Sequence, residues 1–343
     1  MRIAISVVCF VLSVGATPVR AQLPPEAEST SGSSESVSTA TLDEVLVTGE
    51  QSGPGLWRVS KSTANGEHVL WILGSYGPLP KKMSWRSKEV EATIADSQEL
   101  LTSVSVNADI GFFKGLTLLP SLIGVRNNPN DAKLKEVVPP ELYARWLLLK
   151  EKYIGRDNGV EKWRPIFAAQ ELYKEAIDDA GLANNGIVRP VVVKLAKKKG
   201  LNIVTPTIEL EIEKPRTIIK GFKKAPIGDL ECFAKTIERL ETDLDVMRAR
   251  ANAWATGNVK ALREMTHVDQ VAACIEAVMN SQIVQHSGYQ DMPARLAATW
   301  VNAAESALEK NRSTVAVLSI DEILKPDGYV AKLREKGYQV NDP

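Results

Sequence analysis

Hydrophobic and polar positions divide the chain into three regimes. Behind Arg2, residues Ile3 to Val14 form an apolar run interrupted only by small or weakly polar side chains. Residues 22–53 are rich in Ser, Thr, Glu, Gly and Pro, hold no Lys or Arg, and carry few large apolar groups. From Leu56 onward apolar residues recur with the periods of regular structure. Leu56 to Lys61 and His68 to Leu73 alternate or run apolar around Asn65-Gly66, which predicts two strands joined as a hairpin. A Pro-rich loop, Gly77 to Trp85, leads to Ser87, placed to cap a helix that turns Val90 and Ile94 inward. Leu100 to Val106 reads as a further strand.

After Pro139 the period becomes helical. Leu142, Trp146, Leu149 and Tyr153 share one helix face, as do Ile166, Ala169, Tyr173 and Ile177. Ile187 to Lys199 predicts a helix stopped by Gly200, with a short strand at Leu201 to Val204. The longest apolar stripe, Ile237, Leu240, Leu244, Met247, Ala251 and Trp254, predicts one helix over 229–255, stopped at Gly257. Further helices are expected at 268–284 and 293–310. A buried strand at Thr314 to Ile320, a helix at Tyr329 to Lys336 and a strand at Tyr338 to Val340 close the chain. This order predicts an α/β (α+β) fold. Its mixed sheet is built from the N- and C-terminal segments around a large helical insertion, a subdomain of about 139–310.

The first segment reads as an export signal. Its apolar run is shorter than the ~20 residues of a membrane span, and Val19-Arg20-Ala21 offers a small-residue cleavage pattern. Ser6-Val7-Val8 before Cys9 does not match a lipoprotein anchor, so cleavage is expected after Ala21. Residues 22–53 cannot bury enough surface to offset their ordering entropy and read as a disordered linker. Within it, Asp43-Glu44-Val45-Leu46-Val47-Thr48-Gly49 resembles the segment that opens the plug of TonB-dependent receptors, although no barrel follows. A short β-prone patch in a tail is the plainer reading. No later stretch is apolar enough to span a membrane. The expected location is therefore the periplasm or the cell exterior.

Lys plus Arg equals Asp plus Glu at 42 each, and loss of Arg2 and Arg20 leaves the remainder slightly acidic. A nucleic-acid partner needs a basic surplus, so none is expected. Lys197-Lys198-Lys199, Lys223-Lys224 and the alternating Glu209, Glu211 and Glu213 read as solvated helix ends or strand faces. Past the signal, Cys232 and Cys274 are the cysteines that remain, and in an oxidising compartment they read first as a disulfide. Two buried thiols are the alternative. The midpoint of the pair, position 253, lies next to the stop at Thr256-Gly257-Asn258, so an antiparallel fold-back there sets 232 opposite 274.

Familiar catalytic signatures are absent: no GxSxG elbow, phosphate loop, dinucleotide glycine fingerprint, HExxH helix or paired CxxC occurs. His68, His267 and His286 share no metal-binding spacing, and each reads as a surface or capping residue. The flanks carry a resemblance, however. Leu56-Trp57-Arg58-Val59, Leu70-Trp71-Ile72-Leu73-Gly74-Ser75 and Leu79-Pro80 are similar to the opening of TraB/GumN proteins, which include the TIKI-type metalloproteases. Val315-Ala316-Val317, Pro326-Asp327-Gly328, Leu333 and Gly337-Tyr338 resemble the family's closing strand, loop, helix and strand. Trp163-Arg164-Pro165 and Trp300 resemble internal landmarks, so the likeness runs over about 54–341.

That resemblance implies a TraB/GumN fold of the EreA/ChaN-like type, with two histidines and two carboxylates around a divalent ion. The motif positions depart from it. Gly77, preceded by Tyr76, stands at the first histidine, and Ser103 stands at the first glutamate. Thr207 falls near the second glutamate. The closing Gly-x-Gly-His reads Ser319-Ile320-Asp321-Glu322, with Glu322 at the histidine. The implied activity is therefore lost: a non-catalytic relative is expected, with no cofactor and no bound metal, binding a protein or small ligand in a degenerate cleft. That cleft comprises Tyr76, Gly77, Ser103, Thr207, Asp321 and Glu322, which should converge at strand ends. The alternatives are a hydrolase whose site has moved to Asp321 or Glu322 with Tyr76 and Ser103, and an envelope-interaction module working through residues 43–49.

Overall fold

The hairpin read at the start of the domain forms as Leu56–Thr63 (β1) and Gly66–Ser75 (β2), antiparallel, with Leu56 opposite Leu73 and Thr63 opposite Gly66. Gly66 takes φ +110°, a turn geometry that favours glycine. These coordinates are a computed structural model describing residues 4–5, 53–64, 66–109, 112–212, 214–265, 269–281, 284–285 and 289–343. Apart from Ala4–Ile5, the export segment lies outside the described residues, as do the linker up to 52 with its 43–49 segment, Asn65, His267 and His286.

Glu99–Leu101 (β3), Asn202–Val204 (β4), Ser313–Ser319 (β5) and Gln339–Asn341 (β6) complete a mixed sheet of order β6-β1-β2-β5-β3-β4. Strands β2, β5, β3 and β4 run parallel, while β1 is antiparallel to both β2 and β6. The sheet is thus assembled from both ends of the chain, the α/β arrangement that the pattern predicts. Leu70, Ile72 and Leu73 on β2 and Val315 to Leu318 on β5 are buried in near-continuous runs. Such runs mark central strands covered on both faces.

The helices that matter for the site are α1 (Lys88–Ala95), α2 (Pro165–Asp179), α3 (Arg189–Lys199), α4 (Leu230–Thr242), α5 (Leu244–Ala255), α6 (Gln270–Met279) and α7 (Met292–Lys310). Val90 and Ile94 of α1 are buried as their spacing requires, but the Ser87 hydroxyl bonds the Glu91 carboxylate instead of capping the helix. Gly200 ends α3 in the left-handed conformation. His68 is buried, with Nδ1 2.8 Å from the Leu308 carbonyl in the last turn of α7, where carbonyls lack helical partners.

Three elements differ from the sequence pattern. The expected strand over 100–106 is two strands. Thr102 N–H donates to the Val204 carbonyl and its hydroxyl meets that of Thr205, so the chain leaves the sheet with β4. Ser105–Asp109 then pairs in parallel with Thr207–Glu211, and Ala4–Ile5 lies antiparallel beside it. A helix over Phe112–Leu122, with Pro120 inside it, precedes the helical region read from Pro139. The single helix of 229–255 breaks at Asp243, whose carboxylate accepts the Thr242 hydroxyl, a local bond that competes with helix continuation.

That break lets one stripe serve two cores. Ile237, Leu240 and Met247 pack with Trp146, Leu172 and Phe233, whereas Ala251 and Trp254 pack with the sheet. Cys232 and Cys274 are disulfide-bonded, joining α4 to α6 with Cα atoms 4.4 Å apart. Arg239 near the end of α4 donates to Gln270 at the start of α6, so the two helices run antiparallel as the cysteine spacing implied. The Trp163-Arg164-Pro165 landmark gains a physical role. Arg164 is buried, and its guanidinium donates to the carbonyls of Asn127, Phe222 and Ala225, tying the turn at 127 and the end of helix Pro215–Lys224 to the start of α2.

Two stability measurements check these ties. Closing a 42-residue separation should stabilise the fold by ~4 kcal/mol on the chain-entropy model, so Cys274→Ser is expected to lower the melting temperature. Two titratable thiols in non-reduced, unfolded protein would contradict the bond. Arg164→Met leaves three part-buried carbonyls without this donor and should cost ~2–3 kcal/mol in urea unfolding. An unchanged midpoint would show that the fork is incidental.

Candidate functional site

The four parallel strands end at one edge of the sheet. Ser75 stands opposite Ser319, and Leu101 pairs with both Ala316 and Val204. Tyr76-Gly77 follows β2, Ser103 follows β3, Thr207 lies just beyond β4, and Asp321-Glu322 opens the short helix Ile320–Leu324 after β5. Carboxyl ends of parallel strands are where such sheets bind ligands.

Glycine at 74 and 77 follows from the backbone packing here. A Cβ on Gly74 would lie 2.5 Å from Ile320 Cδ1, and the Gly74 carbonyl accepts the Trp254 indole N–H at 2.6 Å. A Cβ on Gly77 would lie 2.4 Å from the Asn184 carbonyl oxygen, with backbone on the other side of the contact. Any side chain at 77, a metal-binding histidine included, would require the 182–184 segment to move.

Tyr76 is buried with its ring against Arg250, whose Cζ lies 5.5 Å from the ring centroid. Burial raises the phenol above its ordinary value, with the Arg250 charge opposing, so the hydroxyl stays protonated at neutral pH. Arg250 also donates to Asp321 Oδ1 at 3.2 Å, so Tyr76 and Asp321 meet through it. Glu322 turns instead to Lys325 at 3.1 Å. Burial, with Glu322 nearby, pushes the Tyr329 phenol up to about 12. Ser103 Oγ donates to the Val317 carbonyl at 3.4 Å, and Thr207 Oγ1 donates to the Thr205 carbonyl at 3.0 Å. Among the described residues no hydrogen bond or ion pair links Glu322 to Tyr76 or Ser103.

Two residues were missed by the sequence reading, Arg239 and Arg250. Both are buried, Arg239 on α4 and Arg250 on α5. The signal was helical phase: Arg250 lies three residues after Met247 and four before Trp254, on the stripe's inner side. Its Nη1 donates to the carbonyls of Leu262 at 2.8 Å and Met265 at 2.9 Å, closing the end of helix Val259–Glu264.

The metal implied by the resemblance does not fit these residues. Backbone fills the space beside Gly77, and the positions at 103 and 207 offer neutral hydroxyls bonded to carbonyls. Among the described residues no three His, Cys, Asp or Glu side chains converge closely enough to hold an ion. Surface depressions of about 470 Å³ beside Arg216 and about 330 Å³ beside Trp85 are lined by none of the strand-end positions.

Neither curated proteins nor solved structures yield a match to the chain. The model of the TraB/PrgY/gumN family matches residues 55–342, which takes in all six strands of the sheet and the helices between them. The chain belongs to the TraB/PrgY/gumN family.

Proposed function

We propose that the protein is an exported, non-catalytic member of its family that binds a small ligand or a protein at the strand ends. What supports this reading is that Gly77, Ser103, Thr207 and Glu322 stand where the resemblance would place the metal ligands, within a chain that the family model matches over 55–342. The tight contact between Gly77 and the Asn184 backbone supports it, because the first ligand position has no room for a side chain.

A periplasmic or secreted location draws support from the N-terminal export pattern and from the Cys232–Cys274 disulfide, a bond typical of oxidising compartments. No helix among the described residues is long and apolar enough to cross a membrane. A hydrolase with a relocated site has less to draw on. Asp321 is engaged by a guanidinium, the Ser103 hydroxyl donates to a carbonyl, and Tyr76 holds its proton, so none is poised as a base or an activated nucleophile.

Elemental analysis of the purified mature protein after dialysis tests the reading. Substoichiometric zinc and manganese are expected, together with no peptidase activity above that of a Glu322→Ala variant. One equivalent of either metal, or activity that Glu322→Ala abolishes, would overturn it.

A further inference from the structure

Two arginines lie almost wholly inside the molecule with more donors than acceptors. Arg250 is 3% exposed and Arg239 is 6% exposed, and each has an Nε N–H without a partner. The Tyr76 hydroxyl, on a residue 7% exposed, has no partner either. The three groups belong to one neighbourhood. Arg250 lies over the Tyr76 ring, and Gly77 abuts the Asn184 backbone. Asn184 Oδ1 is 3.5 Å from the Tyr173 hydroxyl, and Arg239 Cζ lies 5.4 Å from the Tyr173 ring.

The charges do not balance. Among the described residues, the one carboxylate within ion-pair range of either guanidinium is Asp321, whose side chain is 51% exposed. Arg239 has the Gln270 amide oxygen at 3.4 Å as its polar acceptor. A buried guanidinium without a counter-ion is strongly unfavourable. Its flat fork of donors matches the oxygens of carboxylates and phosphates.

We propose that Arg239, Arg250 and the Tyr76 hydroxyl form a receptor for an anionic group, a carboxylate or a phosphate, carried by the ligand of the strand-end site. The proposal rests on the binding reading above and names the chemistry of what is bound. Asp321 holds the outer side of Arg250 as an internal carboxylate, and an incoming anion takes its place. The phenol, kept protonated by burial, donates its O–H to that anion. Positive charge thus stands beside Tyr76 and Asp321 without a metal, as the fixed guanidinium of Arg250, with Arg239 behind it on α4.

The test measures melting temperature and calorimetric binding of the mature, oxidised protein with inorganic phosphate and with acetate, against chloride at matched ionic strength. At least one anion is expected to raise the melting temperature. It should bind Asp321→Asn about tenfold tighter, since a competing carboxylate has been removed. A response to phosphate alone assigns a phosphoryl group, and a response to acetate assigns a carboxylate. Tyr76→Phe, which loses only an unpartnered hydroxyl and keeps the ring, should weaken the same binding. No response to either anion in wild type and Asp321→Asn would overturn the proposal, as would binding unchanged by Tyr76→Phe. Failure of these arms with metal content still substoichiometric removes this inference alone. Uptake of a stoichiometric metal removes the non-catalytic reading whatever the anions do.

Discussion

Insertion of β5 between β2 and β3 is the constraint on which the structure depends. The strand arrives some 240 residues after the hairpin, and it pairs from Ser313 opposite Val69 to Ser319 opposite Ser75. Until it does, β2 exposes one edge and β3, a three-residue strand, has no partner on that side. The sheet cannot form from its N-terminal strands alone. Its registration also sets the site, because the pairing of Ser319 with Ser75 brings the residues after each strand to the same level. Such long-range pairing makes folding slow for the chain's size, since loop entropy is lost before the contacts form.

The intervening helices carry this constraint into the second core. Because α4 and α5 bend at Asp243, their shared apolar side turns from Trp146 and Phe233 toward the sheet. Trp254 then bonds the Gly74 carbonyl at the end of β2, and Arg250 reaches Asp321 after β5. The disulfide fixes α6 against α4 at the opposite end of this pair from the bend. One stretch of sequence therefore links the helical core, the sheet and the strand ends.

Local signals were readable where a single interaction decides the structure. The alternation around Asn65-Gly66 gave the hairpin, Gly200 gave a helix stop, and the spacing of Cys232 and Cys274 gave the bridge. Competition between interactions hid the rest. The run 100–106 has uniform strand propensity, and only the tertiary partners Val204 and Thr205 break it at Thr102. The helix Phe112–Leu122 contains Gly115 and Pro120, residues that argue against a helix unless packing supports one. Among the site positions, Tyr76, Gly77, Ser103 and Asp321 could be placed at strand ends from the flanking pattern. Arg239 and Arg250 could not, because a charged residue on a helix is ordinarily solvated and only the fold shows these two turned inward.

The strand ends carry a guanidinium, a phenol and hydroxyl groups, and the proposed reading is that no metal is held there. The most direct measurement is a crystal structure of the mature protein grown in excess zinc, with anomalous data collected above the zinc edge. The expected map has no zinc peak at the ends of β2, β3, β4 and β5, and the Asn184 backbone still lies against Gly77. A zinc ion at the strand ends, bound by Glu322 or by any residue that has moved to join it, would contradict the proposed non-catalytic reading.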